Sequence, residues 1–455
     1  MNDLKLTFYG GARSVTGANF MLESKKMKIL IDCGLQQGKN FCEDGNCLDF
    51  AYDPQTVDFL LVTHAHADHI GRIPKLARDG FGGTIYSTEE TRKISEIMLK
   101  DSLRFVLKEA LEAKREAIYR KEDIKKALSL WKTVPYRQDF NLGKGFRAFF
   151  KDAGHILGSA IIEISYNSRK VAFSGDLGNS PAPLLNDAEF TTDADYLIME
   201  SVYGDRNHED ISLRKEKLKN IILKTIKKKG VLLIPSFSLS RTQIMLFELN
   251  NMIENGEIPS LPVFLDSPLA IKITRLYKEM QNNFKRAVKE QISSGDKIFD
   301  FPRLKFTESS GESKAINNVK PPKIIIAGSG MSHGGRIIHH EKRYLSEPQN
   351  AILFVGYQSP GSLGRIIQDG AGEVMIENQK IKIRAERETI SGYSGHKGSD
   401  ELLEFVEKAG ESNRLKKVYV VMGEPRSAMF LVQKIRDNLG LETLSPKEGE
   451  SFFLD

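Results

Sequence analysis

Apolar and polar positions alternate in short runs through the first sixty residues of the chain. The apolar, partly β-branched runs are LKLTFYG, NFMLES, MKILIDCG and VDFLLVTH, and Gly, Asn, Ser or Lys turns separate them. This spacing predicts antiparallel strands of a sandwich or meander rather than a dinucleotide-binding βαβ unit. Two runs end in polar residues, Asp32 and the cluster at residues 64–69, which we therefore expect on loops at strand ends.

Charged and apolar positions then repeat at helical spacing from Thr88 to about Trp131. Ser87 precedes Glu90 by three residues, a capping-box pattern that predicts where the helix begins. Dense Glu-to-Lys pairs support exposed helix faces. The segment predicts a solvated helical hairpin over the sheet, and contact of its basic residues with a polyanion is the alternative.

The pattern changes again from about residue 208. Helical runs such as KLKNIILKTIKKKG alternate with buried strands such as VLLIPSF and KIIIAGSGM, which predicts a parallel α/β unit. Short strands return after AILFVGY, and a βαβ-like tail begins at KVYVVMG. We therefore expect an α/β protein in which a parallel α/β domain is inserted into a β-rich one.

Composition narrows the class of protein only a little. The chain of 455 residues is 40% apolar and 28% charged, as in a globular protein with an ample core, and its net charge of +6 permits a nucleic-acid partner without requiring one. The cysteines Cys33, Cys42 and Cys47 predict reduced thiols, with an accessory metal site as the minor alternative. Without a signal-like start or an apolar run near about 18 residues, we expect a cytoplasmic protein without a membrane span.

One short stretch, LVTHAHADHIG, is unusually rich in metal-ligand residues. It places His64, His66, Asp68 and His69 within six positions of a chain that has only 9 histidines. Imidazole and carboxylate are the ligands of catalytic zinc, and residues two apart on an extended loop can face one ion. Two ions about 3.5–4 Å apart need further ligands, including a bridging carboxylate.

Candidates for these further ligands occur in three small-residue loops after strands. They are His155 in DAGHILGS, Asp176 in FSGDLGN and His396 in SGYSGHKG. Small residues permit the close backbone approach that a metal site between loops requires. A single histidine of this kind is more often a hydrogen-bonded structural residue, but the joint pattern favours a metal centre.

With Asp32, His155 and Asp176 in this order, THAHADHIGRIP resembles the metallo-β-lactamase superfamily. Further segments resemble its β-CASP nucleases, namely ESVYGDRNHE, IPSFSLSRTQ, FLDSPLA, IIIAGSGMSHGGRIIHH, FVGYQSPGSLGR and GYSGHKGSDEL. The likeness is greatest to compact bacterial and archaeal RNA-processing members, relatives of the pre-mRNA 3′-end cleavage endonuclease. It implies an αββα sandwich from residues 1–207 and 364–455, with a β-CASP domain at 208–363.

The resemblance also implies a dinuclear centre with two Zn²⁺ ions, Mn²⁺ being the alternative. His64, His66 and His155 would hold the first ion, and Asp68, His69 and His396 the second, with Asp176 bridging. A histidine at position 396 is typical of RNA-directed members, so single-stranded RNA is the expected substrate. A metal-activated hydroxide would attack the phosphodiester, with catalytic roles for Asp68, Glu200, Asp32, which orients the cluster, and His208.

Two positions depart from the family pattern. Ile366 stands where the eukaryotic relative carries a histidine, which leaves the general acid unassigned and makes His208 a candidate by elimination. Met422 replaces the histidine of the C-terminal HGE motif. Neither change removes an expected ligand.

Substrate contacts are expected at arginines and at a Gly-rich turn. Ser329 and Gly330 lie in AGSGMSHGGR, which follows a strand and suits an anion-binding nest, although it lacks the spacing of a nucleotide-binding P-loop. Arg206, Arg241 and Arg336 lie beside the motifs and suit phosphate contact. The alternatives are a tight strand-to-helix turn and surface ion pairs.

Two other functions share these features. A metallo-hydrolase of a small ester or thioester would use the same ligands but leaves the inserted domain unexplained, and a non-catalytic RNA-binding member would be expected to have lost ligands. The sequence leaves open endonucleolytic against 5′-exonucleolytic cleavage. It also leaves open the oligomeric state, with a homodimer among the alternatives.

Overall fold

The computed structural model describes residues 3–37, 41–42, 45–359 and 361–455. Its strands in chain order are β1 (Leu4–Gly10), β2 (Asn19–Ser24), β3 (Met27–Ile31), β4 (Phe59–Leu61), β5 (Thr84–Ser87), β6 (Trp131–Thr133), β7 (Phe140–Gly143), β8 (Phe146–Asp152), β9 (Ala160–Tyr166), β10 (Arg169–Phe173), β11 (Tyr196–Met199), β12 (Val231–Pro235), β13 (Val263–Asp266), β14 (Leu304–Phe306), β15 (Lys323–Ala327), β16 (Ala351–Phe354), β17 (Glu373–Ile376), β18 (Gln379–Lys382), β19 (Glu386–Thr389), β20 (Lys417–Val420), β21 (Glu442–Leu444) and β22 (Ser451–Leu454). Its α-helices are α1 (Ala67–Ile70), α2 (Ile73–Arg78), α3 (Glu89–Glu112), α4 (Lys121–Ser129), α5 (Arg214–Lys227), α6 (Arg241–Glu254), α7 (Pro268–Glu279), α8 (Arg286–Ser293), α9 (Ser310–Ala315), α10 (Ile337–Tyr344), α11 (Leu363–Gln368), α12 (Ser399–Gly410) and α13 (Pro425–Leu439).

The chain divides into two compact units. The first contains Met1–Ala182, Asn186–Asn207 and His396–Asp455, and the second contains Pro183–Leu185 and His208–Gly395. The return of the chain, expected at 363/364, lies instead after Gly395. The reason is that β19 pairs in parallel with β16 and so belongs to the sheet of the second unit.

Two mixed sheets form the centre of the first unit. Their strand orders are β22-β1-β2-β3-β4-β5-β6 and β21-β20-β11-β10-β9-β8-β7. The strands β22 to β3 of the first sheet are antiparallel, whereas β4 pairs in parallel with β3, so the expectation of antiparallel strands fails at VDFLLVTH. A single core includes Phe8 and Ile29 from the first sheet and Phe150 and Ile162 from the second.

Helices cover the outer faces of this sandwich. Phe405 of α12 and Leu431 of α13 pack with Leu197 and Val418 of the second sheet. On the first sheet, α3 contacts β6 and α2 packs on α4. This αββα layering and the inserted sheet of the second unit confirm the α/β class expected from the sequence.

The long charged segment is helical, but its boundaries differ from those expected. Thr88 rather than Ser87 caps α3, since the Thr88 hydroxyl accepts a hydrogen bond from the Thr91 N–H at 3.2 Å. The Ser87 hydroxyl instead donates to the carbonyl of Thr88. The helical region ends before Trp131, which begins β6.

The second unit is a parallel α/β layer structure. Its sheet has the order β14-β13-β15-β12-β16-β19, and every adjacent pair is parallel. Ile325 and Phe354 of the sheet form a core with Ile337 and Tyr344 of α10. The alternation of helices and buried strands read from the sequence is therefore correct.

The positions of the cysteines bear on the expectation of reduced thiols. Cys42 and Cys47 have their Cα atoms 5.0 Å apart, a separation at which a disulfide can form, while Cys33 is buried and free. Within the described residues, no cysteine belongs to a group that could hold a metal ion. In that same part of the chain, no helix has the length and apolar character needed to cross a membrane.

A buried carboxyl in α10 should make stability depend on pH. Burial raises the pKa of Glu341 to about 8 from 4.5, against the opposing effect of the hydrogen bond from Ser332. The folded chain therefore holds a proton that the unfolded chain releases between about pH 4.5 and 8, so stability falls as pH rises through this window. We expect Glu341→Gln to raise the unfolding temperature by several degrees at about pH 8.5 and to change it little at about pH 5.

Thermal unfolding of both proteins at the two pH values measures this effect. Glu254→Gln, at an exposed position of α6, is the control. Equal unfolding temperatures of wild type and Glu341→Gln at the higher pH would contradict the prediction.

Candidate metal centre

The clustered histidines lie where β4 ends and α1 begins. His66 is the residue before α1 and has an extended backbone, so Asp68 and His69 fall in the first turn of the helix. Main-chain hydrogen bonds hold this loop against its neighbours, since Cys33 N–H donates to the His69 carbonyl and Ala18 N–H to that of Asp68. The loop thus presents His64 and His66 before the helix and Asp68 and His69 from its first turn.

A glycine allows the neighbouring loop to approach this turn. A Cβ atom on Gly34 would lie 1.5 Å from the main-chain oxygen of Asp68. No side chain fits at such a separation. The run IDCG therefore ends in glycine because the Asp32 loop packs directly on the backbone of the histidine loop.

Four ligand groups from three loops converge in a first cluster. Ligand atoms of His64, His66, His155 and Asp176 all lie within 4.8 Å of one another. His66 Nδ1 is 3.1 Å from His64 Nε2 and 3.1 Å from His155 Nε2. The structure thus brings together the three histidines expected for the first ion.

A second cluster shares Asp176 with the first. It contains Asp176, Glu200 and His396, whose ligand atoms lie within the same limit. His396 Nδ1 is 3.1 Å from Glu200 Oε1 and 4.0 Å from Asp176 Oδ2. His69 faces this cluster too, with Nε2 3.5 Å from Asp176 Oδ1.

This second cluster differs from the expected set in three residues, because among the described residues Glu200 belongs to it whereas Asp68 and His69 do not. Asp68 is not among the converging ligand atoms of the described chain, although the charges acting on its enclosed carboxyl are those of His69, Asp176 and His64. Glu200 belongs to this cluster, whereas the resemblance implied a catalytic role for it and not that of a metal ligand. Its signal was present, because Glu200 directly follows the buried strand β11.

Asp32 fixes the histidine loop through contacts with His69 and Thr63. Its Oδ2 is 2.7 Å from His69 Nδ1 and accepts a hydrogen bond from the Thr63 hydroxyl at 2.7 Å, while Oδ1 accepts one from Thr63 N–H. The Thr63 hydroxyl is also 3.0 Å from His64 Nδ1. Asp32 thereby fixes which nitrogen of His69 faces Asp176. A metal-ligating histidine usually has such a carboxylate on its other ring nitrogen. Sequence reasoning missed Thr63, although it immediately precedes the motif.

The electrostatics of the cluster suit a divalent cation. Burial and the neighbouring His64 lower the pKa of His66, and burial and His396 lower that of His155, so both rings are neutral as ligands must be. Burial also disfavours the charged form of His69, but the carboxylates of Asp176 and Asp32 outweigh it and raise its pKa.

Two buried atoms of the cluster lack a partner. His69 Nε2 and Asp176 Oδ1 make no hydrogen bond within the described residues. Buried polar atoms are normally satisfied, and these two face each other across 3.5 Å. A cation between an imidazole nitrogen and a carboxylate oxygen would satisfy both, so the donor set fits a metal ion.

Met422 lies at the base of this site. It is buried and lines a cavity of about 10 Å³ together with Asp32, His69 and Glu200. A thioether is a weak acceptor and carries no proton. Met422 therefore cannot do what the family's histidine would do at this position. Glu200 instead has the imidazole of His396 within hydrogen-bonding distance.

Among the expected substrate contacts, Arg206 lies in the first unit. Its guanidinium carbon is 5.0 Å from the ring centre of Tyr203, whose ring is 6.3 Å from that of His396. Its Nη1 bonds to Asp205 at 2.9 Å, and its side chain is 49% exposed. This position, one aromatic ring from His396, suits a phosphate contact.

The other expected site residues lie in the second unit. His208, the candidate proton donor, is the first residue of the long segment of that unit and is partly buried. Arg241 is buried and donates to the carbonyl of Tyr393, three residues before His396. Ser329 and Gly330 form the turn after β15, where a Cβ on Gly330 would lie 2.7 Å from the Phe237 ring. Ile366 is 44% exposed on α11.

Arg336 is bound within its own unit. Its Nη1 bonds Asp266 Oδ1 at 2.7 Å and the Thr307 carbonyl at 2.7 Å, while Nη2 bonds the carbonyl of Glu308. His340 also bonds the buried Asp266, whose pKa is lowered to about 2 because these hydrogen bonds outweigh burial. These contacts favour the ion-pair reading of Arg336 over phosphate binding.

We expect Arg336→Ala to destabilise the chain by on the order of 3 kcal/mol, because it leaves the buried Asp266 carboxylate short of a cation. Arg206→Ala removes an exposed ion pair and should cost less than about 1 kcal/mol. Urea unfolding of the two variants and wild type measures both values. A loss for Arg336→Ala as small as that for Arg206→Ala would contradict the structural role.

We also expect Asp32→Asn to weaken metal binding by about 10–100-fold, since an amide cannot hold the His69 ring as a carboxylate does. Titration of the metal-freed protein with Zn²⁺ measures the affinity. Asp58→Asn is the control, because Asp58 accepts a hydrogen bond from Lys28 N–H outside the cluster. Wild-type affinity in Asp32→Asn would show that Asp32 does not orient the ligand.

The sandwich and its shared-carboxylate cluster define a metallo-hydrolase type of fold. Three family models match successive parts of the chain, namely a metallo-β-lactamase superfamily domain at residues 21–202, a β-CASP domain at 242–367 and a Zn-dependent metallo-hydrolase RNA specificity domain at 380–446. The order of these matches is that of the sequence motifs.

Individual proteins match over nearly the whole chain. Ribonuclease TTHA0252 of Thermus thermophilus is 36% identical over 94% of this chain and 95% of its own length. The transcription termination factor FttA of Pyrococcus abyssi is 30% identical over 99% of this chain and 71% of its own. A solved protein of unknown function from Enterococcus faecalis, 11% identical, covers 99% of this chain with a TM-score of 0.58 and supports the fold alone. The chain therefore belongs to the β-CASP ribonuclease family of the metallo-β-lactamase superfamily.

Proposed function

We propose that this chain hydrolyses phosphodiester bonds of single-stranded RNA at a centre of two zinc ions, with manganese as the alternative metal. The observation that carries the proposal is the position of Asp176. Its Oδ2 is 3.3 Å from His64 Nε2 and 3.5 Å from His155 Nε2, while Oδ1 is 3.5 Å from His69 Nε2. One carboxylate thus faces two groups of imidazoles, as a bridging ligand would.

The proposed ligands are the seven residues that the resemblance implied, and Glu200 is a further candidate beside His396. When bound, the ions would lower the pKa of a water molecule and neutralise charge on the phosphoryl oxygens. The chain's own residues hold this arrangement, since Asp32 orients His69 and Leu177 N–H donates to Glu200 Oε1 at 2.6 Å. For the proton of the leaving ribose oxygen, His208 is a candidate by elimination, because neither Ile366 nor Met422 can supply it.

RNA is the substrate that the relatives and the site support best. One relative is named a ribonuclease, and one matching family model is named for RNA specificity. Arg206, on the Tyr203 ring beside His396, would take a phosphate of the bound strand through its guanidinium fork. Single-stranded RNA presents its backbone and bases to such contacts without the constraint of a duplex.

The alternatives explain less of the chain. A small-ester hydrolase would need the metal ligands, but the family match extends through the inserted β-CASP residues 242–367. A non-catalytic member would not need a complete set of ligands. Here the seven expected ligand residues are all present in the sequence, namely His64, His66, Asp68, His69, His155, Asp176 and His396.

We expect His66→Ala and Asp176→Ala each to lower the rate of single-stranded RNA cleavage by more than about 100-fold, because the loss of a ligand should exceed the roughly 10–100-fold loss typical of an outer partner. Labelled RNA incubated with each protein and Zn²⁺ or Mn²⁺ measures cleavage. His339→Ala is the control, because His339 is exposed on α10 outside the cluster.

The label position distinguishes the modes of cleavage. Internal cuts give intermediate products from both 5′-labelled and 3′-labelled RNA, whereas 5′-exonucleolytic trimming releases mononucleotides from the 5′ label at once. If the metal-loaded wild type leaves RNA intact, the ribonuclease proposal is wrong. Hydrolysis of a chromogenic lactam or thioester under the same conditions would then favour the small-ester alternative.

A further inference from the structure

The loops that carry Asp176 and His396 are joined to each other beyond the ligands themselves. Lys397 N–H donates to the Leu177 carbonyl at 3.0 Å. This hydrogen bond links the residue after His396 with the residue after Asp176. The two ligands of the second cluster are therefore held by neighbouring stretches of backbone, and any group that fixes both stretches also fixes the separation of the ligands.

Glu401, in the first turn of α12, contacts both loops. Its Oε1 accepts a hydrogen bond from Ser180 N–H at 3.3 Å, on the Asp176 loop. Its Oε2 accepts one from Gly398 N–H at 3.1 Å, on the His396 loop. One carboxylate thus ties together two segments that are more than two hundred residues apart in sequence.

The buried side chain of Lys397 adds a third connection. It is 4% exposed, and its Nζ lies 3.3 Å from Glu401 Oε1 and 3.2 Å from the Ser180 hydroxyl. A buried ammonium is costly unless it is paired and hydrogen-bonded. The pair with Glu401 therefore favours the one arrangement of the two loops in which both contacts are made.

We propose that Glu401, with Lys397, is a positioning residue for the second metal ion of the centre. The assignment rests on the proposed function, since it requires that Asp176 and His396 share an ion. Neither Glu401 nor Lys397 would touch substrate or metal. They would act by keeping Asp176 and His396 within the fraction of an ångström that a coordination site requires.

A capping role for α12 alone would not predict this. Glu312 has the same capping-box position in α9, where its Oε2 accepts hydrogen bonds from Ser309 N–H at 2.8 Å and Glu308 N–H at 2.9 Å. Those partners directly precede α9, and no second loop is tied to Glu312 by the hydrogen bonds of the described residues. Glu312→Ala is therefore a matched control that removes a cap without disturbing two ligand loops.

The test is the stepwise binding of Zn²⁺ and Co²⁺ to full-length chains freed of metal by chelation. We expect Glu401→Ala to bind the first ion as wild type does and the second about 10–100-fold more weakly. The visible absorption of bound Co²⁺ should change for the second equivalent only. Glu401→Gln keeps one acceptor oxygen, so it can accept from Ser180 N–H or Gly398 N–H but not from both, and it loses the ion pair with Lys397. Its loss of affinity should be smaller than that of Glu401→Ala, which keeps no acceptor.

Thermal unfolding of the metal-free variants separates positioning from stability. Glu401→Ala and Glu312→Ala should both unfold earlier than wild type, yet only the former should lose affinity for the second ion. Wild-type binding of both ions by Glu401→Ala and Glu401→Gln would overturn the assignment while leaving the ribonuclease proposal intact. A wild-type chain that takes up only one ion at saturation would instead refute the two-ion centre, and the positioning role with it.

Discussion

The buried carboxylate of Asp176 is the group on which the geometry of the first unit depends. A charge removed from water is costly unless opposite charge and hydrogen-bonding groups compensate. Here His69 and His64 hold the pKa of Asp176 well below its ordinary value despite burial. The loops that follow different strands therefore bring imidazoles to it, such as His64 after β4 and His155 after β8.

This convergence explains which features were predictable from the sequence. His64, His66 and His155 were identifiable because metal ligands need particular residue types at strand ends, and spacing reveals them. Glu200 beside His396, and the hydrogen bonds from Thr63 to Asp32, were not, because they depend on contacts between segments far apart in the chain. Local spacing cannot report a distance that only the folded sheets determine.

The arginines also show what local sequence cannot predict, namely whether a suitable side chain is already bound in the folded chain. Arg241 and Arg336 have the residue type for phosphate contact, and both lie beside family motifs. In the folded chain their guanidinium groups contact the Tyr393 carbonyl and the Asp266 carboxylate within the second unit. Arg206 keeps an exposed side chain, which no pattern in the sequence distinguishes from the other two. Residue type identifies what a group can bind, whereas burial decides whether it is already bound.

The return of the chain near residue 395 gives His396 a special position. Arg241 bonds the Tyr393 carbonyl within the second unit, and Lys397 bonds the Leu177 carbonyl within the first. His396 is thus the first residue of the segment that returns to the first unit, and its neighbour Lys397 is bonded to the sandwich. The three histidines of the first cluster lie entirely on loops of the sandwich. The second cluster therefore also lies within the first unit, but one of its ligand residues stands at the very start of a returning segment rather than on a loop between strands of the sandwich.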